Sequence, residues 1–181
     1  MIVPFEFGAK QAYNEPSSKV MTWASELKVG DVIVDAGSVC EVFKIEKDLI
    51  FFRPYFQINN SPIICSIPAE NMGKTKIRKV VTKKRLGEIM QELVASLEED
   101  FEVDIEIAKT AVGENQPIEI ARMINKLWGE QQDEEVSFSK SRRTTLELML
   151  DTLSEEVAYL YGCDLDEGKK KITSRLKRAV K

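Results

Sequence analysis

The groups able to do chemistry in this sequence are carboxylates, lysines, arginines, hydroxyls and three cysteines; histidine is absent. That absence removes the commonest general base, the commonest metal ligand and every catalytic triad built on imidazole. Cys40, Cys65 and Cys163 are odd in number, widely spaced and set among apolar residues. They read as reduced core thiols, not as a disulfide frame. No P-loop, dinucleotide fingerprint or paired-cysteine motif is present, and no nucleophile–base pair supports a hydrolase. The expectation is a protein without enzymatic activity, cofactor or metal. Charge and aromatic surface remain, and these are the chemistry of binding.

The charges are clustered. Lys74, Lys76, Arg78, Lys79, Lys83, Lys84 and Arg85 form one basic group, and Lys140, Arg142 and Arg143 a second. Lys169, Lys170, Lys171, Arg175, Lys177 and Arg178 form a third. Each is either a solvated face or a surface for phosphates or acidic groups. Against them stands the acidic stretch Glu98-Glu99-Asp100-Phe101-Glu102-Val103-Asp104-Ile105-Glu106, which would repel phosphate. A net charge of −4 over 181 residues argues against a simple nucleic-acid coat. Phe51, Phe52, Tyr55 and Phe56 put rings on both faces of one extended run, one pair for a core and one for a partner edge.

The elements that must position these groups change character between Ile67 and Arg78. Before that stretch apolar residues alternate in short runs rich in Val, Ile and Phe; after it they recur as Leu86, Ile89, Met90, Leu93, Val94 and Leu97. A period of 2 gives way to one of 3.6, so strands hand over to helices. Pro68 ends the strand carrying Ile63, Ile64 and Ile67, and Asn71 and Gly73 supply turns. Runs at 27–34, 39–45, 49–56, 63–67 and 77–81, separated by polar turns, predict five short strands in a small SH3- or Tudor-like barrel.

Helices are predicted over Lys83–Glu99 after an N-cap at Thr82, and over Phe101–Val112 up to Gly113. A third starts at Pro117, a fourth is capped by Ser139 or Ser141 and stopped by Gly162, and a last runs from an Asp164 cap through Val180. The fold class is therefore α+β: an extension (1–24), a β-domain (25–81) and a compact helical bundle (82–181). A charged content of 31%, no apolar run near ~20 residues and no basic, apolar N-terminal leader point to a soluble cytoplasmic protein without a membrane partner.

Leu27-Lys28-Val29-Gly30-Asp31-Val32-Ile33-Val34, Ile67-Pro68-Ala69-Glu70-Asn71 and Ile77-Arg78-Lys79-Val80-Val81 together resemble the N-terminal half of the CarD-like (CdnL) transcription regulators. That half is shared with the polymerase-binding module of transcription-repair coupling factors. Ile118 to Trp128, Ser137 to Arg143 and Glu155-Glu156-Val157-Ala158 are similar to the family's helical half, so the resemblance spans roughly residues 25–180 in order.

The resemblance implies a barrel docking on the RNA polymerase β subunit and a helical domain modulating open-complex stability at promoter DNA, in a monomer. Carried onto this chain, it makes Ile64, Ser66, Pro68, Phe52 and Arg53 polymerase-binding candidates. Phe101 falls where the family has a tryptophan wedge, and is either that wedge or a core aromatic. Lys83, Lys84, Arg85, Arg142 and Arg143 are the other DNA-contacting candidates. Ser66 replaces a basic residue of the family, and Asp35-Ala36-Gly37 replaces its proline-containing turn. Two other readings stay open: an interaction adaptor of the same fold that has lost DNA contact, and an RNA-binding Tudor-like protein.

Overall fold

The computed structural model describes Trp23 and residues 26–56 and 63–179. The expected extension at 1–24, apart from Trp23, lies outside the described residues.

Five antiparallel strands form one sheet: β1 (Val32–Asp35), β2 (Ser38–Glu46), β3 (Leu49–Pro54), β4 (Cys65–Pro68) and β5 (Arg78–Lys79), in the order β4-β3-β2-β1-β5. The β1–β2 turn has positive φ at Ala36 (46°) and Gly37 (86°), and the β2–β3 turn at Lys47 (47°) and Asp48 (67°). Two left-handed residues match the twist of the flanking strands. Ile33, Cys40, Val42, Ile50 and Phe52 pack together on one face, with Leu27, Met72 and Ile77. Val34 and Val39 pair across β1 and β2 and are buried on the opposite face.

The five strands form an open sheet, with no pairing between β4 and β5 among the described residues. Among the described residues β4 and β5 are its two edges, and the two-residue β5 pairs only with β1. The turn expected at Asn71 and Gly73 is a 3-10 helix, Ala69–Lys74, that fully buries Met72 in the sheet core. Pro68, extended and without an N–H, marks where β4 ends and that helix begins.

The helices are α1 (Lys83–Glu92), α2 (Ile105–Gly113), α3 (Pro117–Gln132), α4 (Lys140–Tyr161) and α5 (Leu165–Ala179). Thr82 and Ser139 accept from the amides of Arg85 and Arg142, Asp164 accepts from Glu167, and Gly162 ends α4 at φ 65°. Leu86, Ile89, Leu93, Ile124, Leu127, Leu146, Met149, Leu153 and Ile172 form one core.

Two boundaries differ from the periodicity. α1 stops at Glu92, where the Asn125 amide of α3 donates to the carbonyls of Glu92 (3.1 Å) and Ala95 (2.8 Å). Those bonds satisfy carbonyls left over at a helix end, so the chain can depart. α2 starts at Ile105, not Phe101, because the Asp104 carboxylate accepts from the amides of Glu106 (2.8 Å) and Ile107 (3.0 Å).

Sheet and helices meet along a polar seam. Asn115, 5% exposed and at φ 54°, accepts from the Gly37 amide (2.6 Å) and donates to the carbonyl of Lys76 (2.6 Å). Arg78 grips Glu156 with two bonds of 2.6 and 2.8 Å, and Glu156 also accepts from the Val81 amide (2.7 Å). Glu155 accepts from the Val39 amide (2.7 Å). A Cβ at Gly37 would lie 2.7 Å from Cγ2 of Thr152 on α4, at a left-handed φ. Gly37→Ala is therefore expected to cost at least about 2 kcal/mol in urea unfolding, from overpacking and backbone strain together. A loss below about 0.5 kcal/mol, the range of an ordinary surface change, would show that the seam yields freely.

Burial pushes the Glu155 carboxyl above its ordinary value near 4.5, against the lowering effect of the Val39 and Ser38 bonds. The folded state thus holds that proton more tightly than the unfolded chain, and the stability this contributes is lost as pH rises through the folded value. Wild type should gain melting temperature relative to Glu155→Gln as pH falls from 7 toward 4.5. A difference that stays flat or reverses would contradict this. Burial, then the charges of Asp35 and Glu155, pushes the Cys40 thiol up to about 12, so it stays protonated. All three cysteines are free.

Candidate partner-binding surfaces

β4 is a sheet edge because β3 occupies one side and no described strand occupies the other. The chain enters it through Ile63 and Ile64, 67% and 58% exposed. Alternation sends Cys65 and Ile67 to the core and Ser66 to the outer face, where it pairs opposite Phe51. Pro68 closes the strand opposite Leu49.

The other two polymerase-binding candidates separate. Phe52 is 3% exposed within the sheet core, so it supports the edge from beneath and is not surface. Arg53 lies on the outer face, bound to Glu41 at 3.0 Å and 5.3 Å above the Phe43 ring. Phe43 is set there by a bulge in β2 between Val42 and Lys44 and lies 6.4 Å from Phe51, over which Lys44 sits at 5.2 Å. The outer face beside β4 is thus aromatic, and its cations Lys44 and Arg53 are each paired with a carboxylate, Glu46 and Glu41. Neither pair of aromatics in the 51–56 run is wholly core: Phe52 is buried, while the exposed Tyr55 stacks edge-on against Phe56 and against Tyr159 of α4.

Phe101 lies in the loop between α1 and α2, half-buried against the helical core. The Arg122 guanidinium covers its ring at 4.9 Å and is anchored by Glu98 at 2.8 Å. Glu99, Asp100, Glu102 and Asp104 around it are exposed. Lys83 and Lys84 are exposed in the first turn of α1, while Arg85 is paired with Glu88 at 2.5 Å. Arg142 is held by Glu130 of α3, and Arg143 next to it is exposed. Among the described residues no hydrogen bond or ion pair links these two basic groups or joins either to Phe101. Arg78 leaves the basic surface altogether, since its guanidinium belongs to the seam.

Phe43, Arg122 and Asn115 escaped the sequence reading. The first depends on a bulge and the second on a contact between distant segments. Asn115 had a signal, an asparagine just beyond a helix end, where left-handed φ is tolerated. Among the described residues no group of three or more metal-ligating side chains is placed to hold an ion, and no helix is long and apolar enough to cross a membrane.

A scan against protein-family models and a search of curated proteins return no match for this chain.

Proposed function

We propose that this chain is a non-enzymatic transcription regulator of the CarD-like type, docking on the RNA polymerase β subunit by adding β4 to a sheet of the partner. In this reading the open five-stranded sheet is the counterpart of the family's Tudor-like barrel. The observation that carries it is the β4 edge with Ile63 and Ile64 exposed at its entry. An edge strand presents unpaired backbone donors and acceptors, and apolar side chains beside it bury on contact. Tethered this way, the protein stabilises an open promoter complex if it binds that state more tightly than the closed one; no chemistry is needed.

The adaptor reading differs only in the helical half, and one observation favours it there. Phe101 is covered by Arg122 and surrounded by exposed carboxylates, which repel phosphates. Phe101 is accordingly assigned to loop packing, not to a minor-groove wedge. The test is co-migration of the full chain with core polymerase and with its isolated β lobe at physiological salt, followed by forked promoter DNA with Phe101→Ala. Binding to the β lobe with no DNA effect of Phe101→Ala is the expected result. Failure to bind at micromolar concentration would discard polymerase docking.

A further inference from the structure

α5 carries a cationic groove that the docking reading does not use. The buried face of α5 is Gly168, Ile172 and Leu176, packed on α4, where a Cβ at Gly168 would lie 2.8 Å from the Ser154 carbonyl. The flank beside it opens into a cavity of about 330 Å³ lined by Lys170, Lys171, Ser174, Arg175 and Arg178, with Met90 of α1 as its apolar wall and Glu167 at one end.

The charges in this groove are poorly compensated. Lys171 is shared between Glu167 at 3.3 Å and the Tyr161 ring at 5.0 Å. Lys170, Arg175 and Arg178 have no ion-pair partner among the described residues, and the Nε of Arg175 is buried without a hydrogen-bond acceptor. An oxyanion in the groove would meet the Arg175 guanidinium through its Nη groups. Elsewhere on α5 the protein does neutralise its cations: Lys169 meets Glu147 at 2.8 Å and Asp151 at 2.7 Å.

We propose that this groove binds phosphate, specifically the compact polyphosphate of a small molecule such as a nucleotide. Successive turns of a helix are about 5.4 Å apart, so Lys170/Lys171, Ser174/Arg175 and Arg178 offer donors over three turns, and their long side chains can close on one bound polyanion. The volume lies at the small end of ligand pockets, which run from about 300 Å³ upward. Acidic groups stand at the start of the groove, where Glu167 lines it and Asp166 precedes it in the first turn of α5. An extended nucleic-acid backbone would have to run past them, which separates this ligand from a duplex.

The test is calorimetric titration of the full chain with inorganic tripolyphosphate at low salt, beside a short DNA duplex of arbitrary sequence. Saturable one-to-one binding of tripolyphosphate is expected, weakened at least about tenfold by Arg175→Gln with Arg178→Gln. Glutamine keeps helix propensity, so the variant should fold, as circular dichroism would verify. No saturable binding would overturn the proposal, and so would equal weakening by Lys83→Gln with Lys84→Gln, which would mark non-specific attraction. Tighter binding of the duplex, lost in the same α5 variant, would overturn it in favour of a nucleic-acid backbone. None of these outcomes depends on polymerase.

Discussion

Glu156→Ala is expected to destabilise the protein by about 3–5 kcal/mol, because it strands a charge in the seam between sheet and helices. The Glu156 side chain is 4% exposed and the Arg78 side chain 25%. The carboxylate meets the guanidinium through two bonds and also accepts from the Val81 amide where the chain passes from β5 to α1. Its removal leaves the Arg78 guanidinium and a backbone N–H without their acceptor, and unmet donors cost more than the intact bonds contribute. Urea unfolding of Glu156→Ala, Arg78→Ala and the double variant measures this. The double variant should lose far less than the sum of the singles, since it removes both charges. Strict additivity, or a single loss near about 0.5 kcal/mol, would mean that the pair does not hold the two halves together.

Ile64→Lys should weaken binding to the isolated polymerase β lobe by about 2 kcal/mol or more, roughly 30-fold, while leaving stability unchanged within about 0.5 kcal/mol. Ile64 is 58% exposed, so the fold gains little from it, whereas a partner strand laid along β4 would bury it. A lysine on a sheet edge also opposes strand addition directly. Phe52→Leu gives the contrast: Phe52 lies in the core, so that change should lower stability before it touches binding. Unchanged affinity of Ile64→Lys would remove the β4 edge from the docking surface even if the chain binds polymerase.

Element type and order were legible from local chemistry. Thr82, Pro117, Gly162 and Asp164 act through the backbone of their own helix ends, so their roles travel with a few neighbouring residues. The paired left-handed turns at 36–37 and 47–48 and the change of period near Pro68 are local in the same way. Of the two shifted boundaries, the start of α2 is set locally by the Asp104 cap and the end of α1 by a distant segment. Asn125 ends α1 from another helix, and the periodicity of Leu93, Val94 and Leu97 contains no trace of that bond.

By itself, then, the sequence determined strands before helices, the caps that bound most of them, and the absence of imidazole chemistry. Tertiary structure decided which charges are available. Arg78 and Arg142 look like free cations in a basic run, yet both are bound to carboxylates from other elements, while Lys170 and Arg178 meet none among the described residues. It also decided that Phe52 lies inside and Phe51 outside, and that Phe101 sits beneath Arg122. The physical reason is range: caps and turns satisfy groups within about four residues, whereas a charge acquires its role from the partner it meets across the fold.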